Sequence, residues 1–418
     1  MRGTWRSGLI GWVLLGSFAG AWQGCHHEGL RAEVDLVPSR AQAPEALAAL
    51  QASRFEEAER LAVAGLAQED RNAQAHLVAA LTRYKRAMHQ LVSDLIGVGA
   101  AYFAQGLNQQ YLDFALGNAL TELQAVDQHL ARAARDPGVA LELCLACWEV
   151  DWNRSGEVDA WDRRVGEVEL GPDGEELPAG DPRRRPTFRF DAGDVHWARA
   201  MLAFQRALLE VLSAYQAPSR GELGAAFEGR GQARVVIRLR DPARILRARE
   251  QVLLGLAEAE RCRQAYLAET DDDREWVPNP RQKSYALPLP VDAALYETWA
   301  GVLLDLTRLL EGEEGLGVAD VAQLGDHQWP DPPRGFVNVR RLFEAPGDLT
   351  LDAGHVERLE RDESREAAEA VLRDLFGDKY VPQMKPSQLP ARLARMKAEV
   401  ERGEESLERK LRYMFWLN

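Results

Sequence analysis

Residues 241–269 read DPARILRAREQVLLGLAEAERCRQAYLAE. Apolar side chains recur three and four positions apart, as at Ile245, Ala248, Val252 and Leu256, with arginine and glutamate between them. That is the period of an amphipathic helix. The same period runs through 44–52, 55–68, 73–90, 91–108, 109–134, 138–150, 194–216, 291–311, 355–376 and 388–414, all rich in Ala, Leu, Glu and Arg. Strand signals are short and isolated: Phe188-Arg189-Phe190, Val235 to Leu239, and Phe336 to Val339. Fragments of this size cannot build a sheet-based core, so the expected fold is mainly α, a large helical body of repeat-like or bundle form with a few short strands.

Irregular stretches interrupt the helices. Gly166 to Pro186 holds Gly171-Pro172-Asp173-Gly174 and Gly180-Asp181-Pro182, which predict an exposed excursion of turns. The prolines of 271–290 forbid helix and favour an extended crossing segment. A second crossing covers 312–352, with Trp329-Pro330-Asp331-Pro332-Pro333 inside it. With 418 residues, 46% of them apolar and 28% charged, the chain is an ordinary globular protein. Its 65 acidic against 51 basic side chains give a net charge of −14, which argues against nucleic acid as a partner. No frame of nucleophile, base and orienting group stands out, and the sequence leans away from an enzyme.

At the N-terminus, Arg2 and Arg6 precede Leu9 to Trp22, fourteen uncharged residues. As a helix this run reaches about 21 Å, short of a bilayer core of about 30 Å. A basic start and a short apolar run ending in small residues describe an export signal over 1–24. Ala19-Gly20-Ala21 fits ordinary signal cleavage, whereas Trp22-Gln23-Gly24-Cys25 resembles the lipobox of bacterial lipoproteins. That resemblance implies lipidation of Cys25, an anchor in the membrane, and a tether over 25–43; plain secretion or a periplasmic location is the alternative.

Residues 151–162 read Asp-Trp-Asn-Arg-Ser-Gly-Glu-Val-Asp-Ala-Trp-Asp. This stretch resembles an EF-hand calcium loop, in which a twelve-residue turn brings six oxygen donors around one hard cation. The resemblance implies Ca²⁺ ligands at Asp151, Asn153, Ser155, the Glu157 carbonyl, Asp159 and Asp162, and it places Gly156 where the chain needs a positive φ. Trp152 and Arg163 depart from the usual residue types. Asp162 replaces the commoner glutamate, so the expected affinity is weak, about 10⁻⁴–10⁻³ M. Phe188-Arg189-Phe190 is the nearest candidate to pair beside Val158, and Asp191 and Asp194 read as caps of the helix that follows. A solvated turn rich in Asx residues is the alternative reading of the loop.

Within 44–90, Arg54-Phe55-Glu56-Glu57-Ala58, then Gly65-Leu66, Asp70, Asn72 and Ala75, resemble the second helix of a tetratricopeptide repeat and the start of the next. This implies closely packed antiparallel helices with a turn at Asp70 to Asn72, and a surface for a protein or peptide partner. The expected organisation is then helical, tetratricopeptide-like structure over 44–137, the calcium loop and excursion over 138–190, and a helical body over 191–418.

The remaining signals are weaker. Cys144 and Cys147 fall inside the helix expected over 138–150 and read as buried free thiols, with a strained or labile disulfide in an oxidising compartment as the alternative. His196 reads as a core or capping histidine, Asp271-Asp272-Asp273 as a solvated acidic turn, and Arg183-Arg184-Arg185 as an exposed loop balanced by Glu175, Glu176 and Asp181. Tyr413 to Leu417 is too apolar to leave in water and is expected to dock. Together these features predict a lipid-anchored protein of the cell envelope, acting as a calcium-binding scaffold or protein-interaction module. The rival expectations are an envelope enzyme with a scattered site and a thiol-redox protein using Cys144 and Cys147.

Overall fold

The computed structural model describes residues 43–105, 109–151, 155–219, 234–272, 274–287, 292–320, 332–352 and 364–401. The expected signal segment 1–24, Cys25, Asn153, Asp273 and the apolar end 413–417 lie outside them, as does all of the tether but Ala43. The chain is mainly helical. It runs α1 (Pro44–Gln51), α2 (Phe55–Gln68), α3 (Ala73–Gln105), α4 (Gln109–Ala133), β1 (Leu141–Leu143), a short α5 (Asp162–Val165), β2 (Phe188–Phe190), α6 (Ala192–Ala214), β3 (Arg234–Ile237) and α7 (Pro242–Ala268). There follow α8 (Ala293–Glu311), β4 (Leu316–Gly317), β5 (Phe336–Val337), α9 (Val339–Glu344), β6 (Leu349–Asp352), α10 (Arg365–Phe376), β7 (Tyr380–Val381) and α11 (Leu389–Glu401).

The helices pack largely in chain order. α1, α2, α3 and α4 lie against one another, α4 rests on α6, α6 pairs along its length with α7, and α8 joins α7 to α11. Ala58 and Ala62 are fully buried, so α2 approaches its neighbours closely. The turn expected at Asp70 to Asn72 is present, and the Asn72 side chain caps α3 by accepting the Ala75 amide at 2.9 Å. One hydrophobic core runs from Ala46 through the inner faces of α3, α4 and α6 to Trp276 and Tyr296. A second lies between the far halves of α6 and α7 and the helices α8, α9 and α11. The strands only brace this body, as antiparallel pairs β1 with β2, β3 with β6, and the small sheet β4–β5–β7.

The structure corrects the sequence at several points. Residues 73–105 form one helix where two, 73–90 and 91–108, are expected, because nothing between Met88 and Ser93 breaks the backbone hydrogen bonding. Residues 138–150 are not a helix: Val139, Leu141, Leu143 and Leu145 are buried, a period of two, and β1 is followed by a 3₁₀ turn, Leu145–Cys147. The mixture of Ala, Cys and Leu on both faces had disguised the alternation. β2 pairs with β1, Leu141 opposite Phe190, and not beside Val158. Cys144 and Cys147 form a disulfide, so they are not free thiols; Cys262, in α7, is the buried free cysteine among the described residues.

Candidate functional site

Asp151 stands at the mouth of the predicted calcium loop, and its carboxylate accepts two amides, from Ser155 at 2.9 Å and from Gly156 at 2.8 Å. Gly156 has φ of 95°, the left-handed conformation that the loop resemblance requires of it. The Ser155 hydroxyl donates to the Glu157 carbonyl at 2.9 Å. At the loop's end Asp159 accepts the amides of Trp161 and Asp162, while Asp162 accepts the Asp159 amide at 3.0 Å. This reciprocal pair closes a turn just before α5, and Asp162 is only 2% exposed. Among the described residues, the carboxylates of Asp151, Asp159 and Asp162 are not drawn together around one point. A carboxylate oxygen that accepts one amide keeps a further lone pair for a cation.

The loop borders an open cavity of about 490 Å³ lined by Ser53, Phe55, Lys85, His89, Ser93, Glu149, Val150 and Asp151. Lys85, His89 and Ser93 share one face of α3, and the Lys85 ammonium sits 3.9 Å above the centre of the Phe55 ring. Partial burial lowers the lysine's pKa, against the pull of Glu56. Ser53, itself at φ of 60°, accepts the Glu149 amide and so ties the α1–α2 turn to the segment that leads into the loop. Trp148 meets Phe55 edge to face at 5.4 Å.

A second acidic site was not legible as such. Asp191, Glu269 and Glu275 each bring a carboxylate oxygen within 4.8 Å of the others, and Asp191 and Glu275 are buried. The expected capping role of Asp191 and Asp194 holds: Asp191 accepts the Gly193 amide, and Asp194 returns the bond to the Asp191 amide. Gly193 lets Tyr266 lie over the helix start, since a Cβ there would come within 2.6 Å of its ring. The Tyr266 hydroxyl then donates to Asp194 at 2.6 Å. Burial, aided by the Asp191 charge, pushes the Asp194 carboxyl up to about 8; burial with Asp191, Glu275 and Asp194 nearby pushes Glu269 up to about 9. Such a cluster either keeps protons at neutral pH or holds a cation.

The chain matches no family model, no curated protein and no solved structure.

The other predicted residues are placed as follows. His196 donates to the buried Glu258 at 2.7 Å, and Arg199 and Arg261 reach the same carboxylate at 2.6 Å. Arg183 pairs with Asp181 and Glu175 as expected, whereas Arg184 pairs with Glu167 and Glu169 and Arg185 with Glu167, acids from the preceding segment that the expectation did not include, and the Arg184 side chain is largely covered. Asp272 accepts the Lys283 and Ser284 amides, and Asp271 pairs with Arg189, so these two acids brace the turn. The cysteine pair follows a strand and brackets a turn, with Cys147 exposed and Cys144 half-buried.

Proposed function

We propose that this protein is an exported, lipid-anchored helical scaffold of the cell envelope that binds calcium through residues 151–162 and presents the neighbouring cavity to a protein or peptide partner. The observation that carries the reading is Asp151 bridging the Ser155 and Gly156 amides, with Gly156 at positive φ and Asp159 and Asp162 exchanging hydrogen bonds at the loop's end. Calcium gathers these oxygens and fixes the 138–190 excursion against the α1–α2 turn through Glu149 and Ser53. The disulfide supports export, because such bonds persist in oxidising compartments. The cavity offers Lys85 and His89 on one wall and Glu149 and Asp151 on the other, a lining suited to a charged peptide. Thermal melts in millimolar calcium against chelator test the metal: a rise in Tm that disappears in Asp151→Ala and survives in Glu275→Gln supports the loop. No rise, or one lost only with Glu275, sinks it.

A second reading rests on Cys144 and Cys147, disulfide-bonded after β1 on either side of a 3₁₀ turn, with Cys147 exposed and Cys144 half-buried. Reduction of insulin by the dithiol form, abolished in Cys147→Ser, is its test; a dithiol form without that activity overturns it.

A further inference from the structure

The cavity beside the loop holds an amine for which the packing of the fold has no use. Of the chain's 51 basic side chains 45 are arginine, and Lys85 is the only lysine before Lys283. The two residue types differ in chemistry as well as in shape. A guanidinium keeps its proton at any pH a protein meets, whereas an amine can release it and become a nucleophile. Lys85 stands on α3 with His89 and Ser93 one and two turns further along the same face, and all three line the cavity together with Phe55 and Val150.

The surroundings of this lysine set it apart from the other described ones. Its ammonium lies 3.9 Å above the centre of the Phe55 ring, against which Trp148 packs edge to face. Phe55 and Val150 are only 8% and 7% exposed, so the lining next to the amine is apolar and fixed. Among the described residues no carboxylate pairs with Lys85. Lys385, by contrast, reaches Glu314 at 2.8 Å, Lys379 reaches Asp378 at 3.7 Å, and Lys283 is exposed. The ionisable groups around the amine are Glu56 on α2, Glu149 and Asp151 on the segment entering the loop, and His89 on α3. Partial burial lowers the lysine's pKa in spite of Glu56, so its free amine is present at lower pH than that of an exposed lysine.

We propose that the cavity takes a small uncharged aldehyde and that Lys85 condenses with it as an imine. The proposal rests on reading the cavity as a ligand site, and on neither calcium nor the lipid anchor. The amine attacks the carbonyl carbon; the C–N bond forms as the C=O π bond opens, and the nitrogen gives up a proton while the oxygen gains one, through water in the open mouth. The carbinolamine then expels water as the C=N bond forms, and no oxidant or reductant is consumed. Once protonated, the iminium nitrogen keeps a cation over the Phe55 ring. An uncharged carbonyl compound is favoured over a keto acid, because Glu149 and Asp151 repel a carboxylate.

The test treats the full chain with propionaldehyde and cyanoborohydride in chelator, so the outcome does not depend on calcium, and locates the reduced adducts by peptide mass spectrometry. Lys85 is expected to be labelled first, ahead of the more exposed Lys283 and Lys385, and its rate to level off at lower pH than theirs. Lys85→Arg, which keeps the charge over the ring, is expected to abolish the fast labelling without changing the melting temperature. Pyruvate in place of propionaldehyde is expected to label Lys85 more slowly. Labelling of Lys85 no faster than of Lys283, or with the same pH dependence, overturns the proposal. So does fast labelling that survives in Lys85→Arg. The peptide reading of the cavity is scored separately, by whether Lys85→Arg retains binding of a charged peptide.

Discussion

Two buried acidic sites share the α6–α7 pair and have opposite electrostatics. Near the middle of the pair, Glu258 is fully buried, yet it meets His196, Arg199 and Arg261. Burial alone pushes its carboxyl up, but the His196 hydrogen bond and the arginine charges outweigh that and hold it below the usual carboxylate range. At the end where α6 begins and α7 finishes, Asp191, Asp194, Glu269 and Glu275 come together with Arg189 reaching only the edge, 3.7 Å from Asp191. There burial and like charge act in the same direction, and Asp194 and Glu269 hold their protons to about 8 and about 9. Burial by itself therefore does not decide whether a carboxyl is charged; the partners that the fold brings to it do.

The comparison can be broken most forcefully at the paired site. Glu258→Gln removes the carboxylate shared by His196, Arg199 and Arg261, leaving Arg199 with Asp127 alone, and is expected to cost about 3–5 kcal/mol, read as a lower urea midpoint with unchanged slope. A loss below about 1 kcal/mol would make the cluster a solvent-screened one. The crowded acidic site is tested by pH. A carboxyl raised in the folded state stabilises fully below its unfolded pKa, and that contribution is lost as pH rises through the folded value. In chelator, stability is thus expected to fall between about pH 5 and pH 9, approaching about 1.4 kcal/mol per pH unit for a buried group such as Asp194, and Glu269→Gln is expected to flatten the slope.

The acid limb has a different source. His76 and His129 share a 2.8 Å bond between their Nδ1 atoms, and burial, with His76, Arg83 and Arg132 nearby, lowers His129 to about 4. A base lowered in the folded state stabilises above its unfolded pKa, so this contribution is expected to disappear as pH falls from about 6.5 through 4, and a His129→Gln variant is expected to lose that limb. The smallest effect compares two caps. Asp241 caps α7 at a site without crowding acids, and Asp241→Ala is expected to cost about 1 kcal/mol. Asp191→Asn keeps a capping oxygen but removes charge from the cluster, so its Tm at pH 8 in chelator is expected to rise rather than fall.

Much of the fold was legible because helices declare themselves locally. The spacing through 55–68 and the turn at Asp70 to Asn72 needed only near neighbours, and α2 spans the predicted residues. The capping roles of Asp191 and Asp194 were legible for the same reason. The segment 138–150 was misread because Leu, Ala and Cys occupy both its faces, and only β2, more than forty residues onward, settles its period as two. The loop at 151–162 was legible as a spacing of oxygen-bearing residues about Gly156, which does take a positive φ. The acidic cluster was not, since Asp191 lies far in sequence from Glu269 and Glu275, and each reads alone as an ordinary cap or turn acid.

What the sequence determined by itself was therefore the helical class, the turns and caps, and the spacing around Gly156. All of these depend on residues a few positions apart, where backbone geometry fixes which side chains meet. The tertiary structure alone decided the pairing of β1 with β2, the bond between Cys144 and Cys147, the ion pairs around Glu258, the crowding of carboxylates at Asp191, and which apolar side chains of α3 and α4 stay exposed. Each of these depends on how far apart two segments of chain come to rest, and that distance is set by packing across the whole core rather than by any local preference.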